Sequence, residues 1–191
     1  MDKEIERNIV NNSIYMVSLF NNAKEKNSNK KKNDSYGKKD NTDNFTVINL
    51  LKLQILMYLL EAYYMVCEPT EKELYDSNWN AWEYGPANKQ LYNYFRDYGG
   101  SINILLSSED INKITNLPDY NKNYIDEIYK IFGKLSVLDL VSIIHMNESP
   151  WNEIIHTNKM SNKSIDNITI DKEKTKQWFE KVFKIKSGDK K

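Results

Sequence analysis

A chain of 191 residues with 40% hydrophobic side chains suits one domain with a real core. Its 27 basic and 27 acidic side chains cancel, which excludes the global positive field that draws a protein to duplex DNA or to an anionic membrane. The single cysteine, Cys67, excludes an internal disulfide framework, and the charged stretch Asp2-Lys3-Glu4-Ile5-Glu6-Arg7 lacks the apolar run of an export signal, so the expected setting is the cytoplasm.

In residues 1–26, Ile5, Ile9, Met16 and Phe20 recur at helical spacing, and Val10, Ile14 and Val17 widen the stripe. The expected element is a separable amphipathic helix. Its apolar face has two destinations open to it, packing on the main domain or meeting a partner protein or a second copy, and these four residues are candidate partner-binding residues. From residue 27 to 45 the sequence is Lys, Asn, Asp, Ser and Gly, with Tyr36 the one large aromatic before Phe45. Such a segment cannot bury enough surface to offset its ordering entropy and reads as a low-complexity flexible linker. Its lysines are diluted by Asp34, Asp40 and Asp43, which favours a solvated run over a nucleic-acid contact.

Thr46 to Val66 is the longest apolar stretch, without Gly or Pro, and predicts the buried central helix of the fold. As a membrane span it would carry Lys52 and Glu61 into hydrocarbon at about 2.5 to 3.5 kcal/mol each, so a core helix is the better reading. Pro69 ends it. Trp79 to Tyr84 suits a short extended piece stopped by Gly85-Pro86, and Pro86 then opens a helix carrying Leu91, Tyr94, Phe95 and Tyr98 up to Gly99-Gly100. Ser107 with Asp110, and Ser136 with Asp139, have capping-box spacing at two further helix starts. Between them a helix runs from about Asn121 to Phe132 and closes at Gly133, and Pro150 starts another. Ile168-Thr169-Ile170 suits a short strand, and Asp171 caps a last amphipathic helix before a basic tail at 185–191. The expected fold is therefore mainly all-α, a compact multi-helix domain over 46–184 around one buried helix, with one small β element.

A catalytic constellation does not emerge from these residues. The two histidines, His145 and His156, lie far in sequence from Cys67, and the Cys and His spacing of a zinc site is missing. Cys67 ends an apolar helix, where a thiol acts as a small core residue. Glu109 and Asp110 sit at a helix start, where the dipole accounts for them. The expectation is a protein without metal or cofactor that binds rather than catalyses. Two junctions stand out instead: Trp82 with Tyr84-Gly85-Pro86, and His145 with Ser149-Pro150-Trp151. They either cap helices and fill the core or meet at one end of the bundle and frame a recognition surface.

The same residues carry a family resemblance. Lys52-Leu53-Gln54 leads into the apolar helix; Ala81-Trp82-Glu83-Tyr84-Gly85-Pro86 and Leu91-Tyr92 follow; His145 with Glu148, Pro150 and Trp151 closes the pattern. In order and spacing, from about residue 46 to 183, this resembles the Panacea domain, the SocA-like or phage-associated GepA-like domain of antitoxins. Ile55 and Ala87-Asn88-Lys89 depart from the family's usual residues. The resemblance implies a helical, non-enzymatic protein that neutralises a cognate toxin encoded beside it by direct binding, with Tyr84 and Asn88 added as candidate contacts. It assigns Lys52, Gln54, Trp82, Gly85, Pro86, His145, Pro150 and Trp151 to the motif and the structure. Some relatives are adaptors that deliver a toxin for proteolysis, and many sit in phages or mobile elements, where another host protein is the target. A homo-oligomer remains open. The rival reading is a DNA-binding autoregulator using Ser136 to Trp151 as a helix-turn-helix, disfavoured because the helix after Pro150 offers little beyond Lys159 to phosphates.

Overall fold

The longest apolar stretch forms the axis of the structure. In the computed structural model, which describes residues 6–33, 47–69, 74–76, 78–98, 103–159 and 168–185, α2 spans Leu50–Cys67 and buries fifteen of its eighteen residues. Asn49 caps it by accepting from the Lys52 N–H at 2.8 Å, so the helix starts inside the predicted Thr46 boundary. It is the one helix among the described residues long and apolar enough to cross a membrane, and it lies inside the protein.

The other elements surround it in chain order: α1 (Ile9–Asn33), β1 (Asn80–Trp82), β2 (Gly85–Ala87), α3 (Lys89–Phe95), α4 (Ser108–Lys113), α5 (Asp119–Phe132), α6 (Val137–Ile144), α7 (Pro150–Lys159) and α8 (Lys172–Phe183). Helices α1, α3, α5, α6 and α8 pack on α2. The fold is mainly α, as the sequence predicts, with an antiparallel pair in the register Asn80 to Ala87 and Trp82 to Gly85. Thr169 bridges to the outer edge of β1 through the Ala81 N–H to Ile168 O and Ile170 N–H to Trp79 O bonds, both 2.8 Å. Both capping boxes form, at Ser107 with Asp110 and at Ser136 with Asp139, and Asp171 caps α8. Asp110 is buried; its desolvation is outweighed by hydrogen bonds from Ser107, Tyr94 and Tyr98, which hold its carboxyl below the usual range and fasten α4 to α3.

Three expectations need correction. Residues 85–87 form a strand rather than a helix start, because Gly85 adopts φ 149°, and α3 begins only at Lys89. The face of α1 is covered within the chain: Ile9, Ile14, Met16, Val17 and Phe20 are buried in the common core, so Ile9, Met16 and Phe20 are not free for a partner, while Ile5 lies outside the described residues. Polar clamps hold both parts of the helix. Asn121 of α5 accepts from the Glu6 N–H at 3.0 Å and donates to Glu6 O and to the Asn12 side chain, both at 2.8 Å. Further along, Asn21 donates to Ile104 O and accepts from the Leu106 N–H. Helix α1 continues to Asn33, so the first seven residues of the predicted linker are helical; residues 34–45 lie outside the described part.

The interruptions of α2 are satisfied in place. Glu61 accepts from the Trp79 indole at 2.5 Å and pairs with Lys172 at 3.1 Å. Lys52 donates to Gly133 O at 2.9 Å and sits 4.7 Å from the centre of the Phe20 ring. Burial lowers the pKa of Lys52 to about 8. The unfolded value is about 10.4, so below pH 8 both states are protonated and the buried charge is fully unfavourable. From pH 8 towards 10 the unfolded chain holds more protons and stability rises. Tyr58 and Tyr75, held above their usual range by burial, act in the opposite sense above pH 10. Denaturation at pH 9 is expected to show about 1 kcal/mol more stability than at pH 7.5, with the rise absent in Lys52→Met. A wild-type profile parallel to that of Lys52→Met would show that the ammonium is fully compensated.

Candidate functional site

The β-hairpin reverses at Glu83 and Tyr84, and its position depends on two residues from distant parts of the chain. Gln54 of α2 accepts from the Asn88 N–H at 2.9 Å and donates to Asn88 O at 3.1 Å, a two-point grip on the strand's exit. The Asn88 side chain accepts from the Gln90 and Leu91 N–H groups at 2.9 and 3.2 Å, capping α3, and donates to Asn78 O. Asn88 is therefore buried, and its expected role as a partner contact gives way to that of a structural joint. Gly85 passes close over α2 and α6: a Cβ there would lie 3.9 Å from Ile55 and 4.0 Å from Ile144. Contact distance alone would admit a side chain; the φ of 149° is what favours glycine.

The two junctions singled out in the sequence do meet. Trp151, buried at the start of α7, donates its indole N–H to Trp82 O at 2.8 Å. His145 at the end of α6 is exposed and stacks on Trp151, with ring centres 4.2 Å apart at 10°. Ser149 links them, donating to Ile144 O at 2.5 Å and accepting from the Asn152 N–H at the first turn of α7, where Pro150 needs no partner for a nitrogen it cannot donate from. Glu148, at φ 68°, pairs with Lys181 of α8.

A groove of about 350 Å³ opens beside this joint. Leu50, Leu51 and Gln54 of α2 form one wall, Trp82 and Tyr84 to Ala87 the hairpin wall, and Tyr92 and Arg96 the side towards α3. Trp82 is half-buried rather than a core residue, and its ring meets the edge of Tyr92 at 5.1 Å. Tyr84, at the turn, is 65% exposed. Six motif residues, Gln54, Trp82, Tyr84, Gly85, Pro86 and Tyr92, thus line one concavity, whereas Lys52, His145, Pro150 and Trp151 do not. Sequence reasoning missed Leu50, Leu51 and Arg96 as lining residues. The available signal was the outward face of α3: Tyr92 and Arg96 are spaced by four, while Leu91 and Phe95 are the buried pair.

A second cavity of similar volume, between α2 and α5, is lined by tyrosines and charged side chains, several of which already bond to one another or to their neighbours. Tyr63 donates to Glu127 at 2.5 Å, Tyr124 to Glu68 at 2.7 Å and Tyr15 to Asp126 at 3.3 Å. Burial, reinforced by the neighbouring carboxylates, pushes all three phenols above their usual range. Among the described residues no group of three or more His, Cys, Asp or Glu is placed to hold a metal ion.

The family model described as "Antitoxin SocA-like, Panacea domain" matches residues 50–152, more than half of the chain. The chain belongs to this family. No curated protein and no solved structure matches it. The matched Panacea segment begins on the first residue of α2 and ends in the first turn of α7, so it contains the hairpin, both junctions and every residue that lines the groove. Helices α1 and α8 lie outside the match although both pack on α2. Family membership gives the protein a general antitoxin character.

Proposed function

We propose that this Panacea protein is the antitoxin of a toxin–antitoxin pair, acting in the cytoplasm to neutralise a toxin encoded by a neighbouring gene through direct protein–protein binding and without catalysing a reaction. The observation that carries the reading is the family match over residues 50–152. The groove supports it, because an apolar concavity with exposed aromatics suits a protein contact better than a chemical step. For DNA the exposed side chains of α7 among the described residues are Glu153, paired with Lys174 at 3.0 Å, His156 and Thr157, a face without Lys or Arg for a phosphate backbone.

Co-expression with each adjacent open reading frame tests this. Rescue from a growth-arresting neighbour together with a stable co-purifying complex is the expected result. Rescue by loss of the toxin that is abolished in a protease-deficient host would instead assign the proteolysis-adaptor role. A set of neighbours with no toxicity and no complex would overturn the reading.

A further inference from the structure

We propose that the groove between α2, the hairpin and α3 is the point where the protein partner docks, and that it takes a short partner segment bearing a large apolar side chain beside a carboxylate. This rests on the proposed protein-binding function and specifies the chemistry of its contact. The apolar half of the recognition follows from the walls. Leu50, Leu51, Trp82, Tyr84 and Tyr92 leave a concavity of about 350 Å³, at the low end of ligand-pocket volumes, roughly 300 to 1,000 Å³, and the size for one anchor side chain rather than a whole helix face. Tyr84 is 65% and Tyr92 38% exposed, although their neighbours Gly85 and Leu91 are buried. Tyr92 packs against Trp82 yet keeps part of its ring open, Tyr84 stands at the turn, and rigid aromatic rings beside a pocket are what dominates protein contacts.

The charged half follows from Arg96. Arg96 lines the groove and its side chain is 55% exposed, with Asp97 3.6 Å from its guanidinium and 84% exposed. An ion pair so open is weak and exchangeable, whereas a partner carboxylate brought in beside an apolar anchor meets a planar fork suited to two-point binding. Glu83 and Asp97, adjacent in sequence to lining residues, oppose a polyanion such as nucleic acid and leave room for one carboxylate. The wall is also set in advance: Gln54 holds Asn88, Asn88 caps α3, and Trp151 holds the carbonyl of Trp82. Little ordering is left for the moment of binding.

The test uses the full chain labelled with nitrogen-15 and two probes, the acetylated and amidated dipeptides Trp-Glu and Trp-Gln. The Trp82 indole signal is identified by its loss in Trp82→Phe. The acidic probe is expected to shift that signal and to bind at least threefold more tightly than the neutral one, with the difference removed in Arg96→Gln and both affinities reduced in Tyr84→Ala. Equal affinities, or no shift at Trp82, would overturn the proposal. Where a neighbouring toxin is neutralised, the Tyr84→Ala/Arg96→Gln protein is expected to bind it at least tenfold more weakly. Undiminished binding there would overturn the groove assignment and leave the antitoxin reading intact, whereas a dipeptide contrast without any toxic neighbour would do the reverse. A concentration-dependent dimer abolished by Tyr84→Ala would give the groove to a second copy and also overturn the proposal.

Discussion

Removal of residues 1–44 is expected to unfold the protein rather than to trim it. Five apolar side chains of α1, those of Ile9, Ile14, Met16, Val17 and Phe20, are buried, and full burial of side chains of this size stabilises by about 1.5 to 3 kcal/mol each. Their combined loss, about 8 to 15 kcal/mol, is as large as the whole stability of an ordinary domain, about 5 to 15 kcal/mol. The deletion also strips Asn121 of its backbone partners at Glu6 and leaves Ile104 O and the Leu106 N–H without Asn21. Residues 45–191 should therefore show no cooperative thermal transition and rapid proteolysis. A smaller change grades the effect: Phe20→Ala, which removes an edge-on contact with Tyr129 at 4.9 Å and the ring under Lys52, is expected to cost about 3 to 5 kcal/mol. A cooperative unfolding curve for the truncated chain would return α1 to the status of an appended helix, and with it the idea that its apolar face serves a partner.

The consequence for the family is that the matched segment of residues 50–152 does not enclose this protein's core. Helix α8, also outside the match, supplies Lys172 to the Glu61 carboxylate and Thr175 to the Tyr58 hydroxyl, at 2.9 Å in the second case. Two flanking helices thus complete what α2 begins. A buried helix must be covered on every side, and the matched residues alone leave part of it uncovered.

How much of this was legible in the sequence follows from the range over which each feature is decided. Capping at Ser107, Ser136 and Asp171, the stop at Gly133 and the start at Pro150 depend on residues three or four apart, and all appear where local chemistry puts them. The burial of α2 was equally visible, since apolar residues on every face leave no other place for a helix. The destination of α1 was not, because its stripe specifies that a partner surface exists and the partner, Asn121 with its neighbours on α5, lies more than a hundred residues away. The groove was half legible. Motif residues around Gly85-Pro86 marked the hairpin wall, yet Asn88 looked like a surface contact until its backbone was seen paired to Gln54, 34 residues earlier. Periodicity finds what a helix buries and says little about Tyr92 and Arg96, which α3 leaves outside.

Gln54 offers the sharpest link between fold and site, and Gln54→Ala is expected to cost about 2 to 4 kcal/mol. The substitution removes two hydrogen bonds: it takes the acceptor from the buried Asn88 N–H, at about 1 to 3 kcal/mol, and the second bond, at about 1 kcal/mol, from Asn88 O, which still accepts from the Tyr92 N–H at 3.0 Å. Gln54→Glu tests the geometry. A carboxylate still accepts from the Asn88 N–H but cannot donate to Asn88 O, and it places a charge where the residue is only 4% exposed, so this variant is expected to be no more stable than the alanine one. Chemical denaturation of the two variants measures both costs. The functional consequence is separable from the loss of stability. Asn88 caps α3 and ties it to Asn78, so a loosened Asn88 lets Tyr92 and Arg96 shift against Trp82 and deforms the groove. Phe20→Ala, with a similar cost but no place in the groove lining, is the matched control. At a low temperature where both variants remain folded, Gln54→Ala is expected to lose affinity for the acidic dipeptide and for the toxin, and Phe20→Ala to keep it. Equal losses would show that stability alone governs binding, and that the grip of Gln54 on Asn88 serves the fold without shaping the contact.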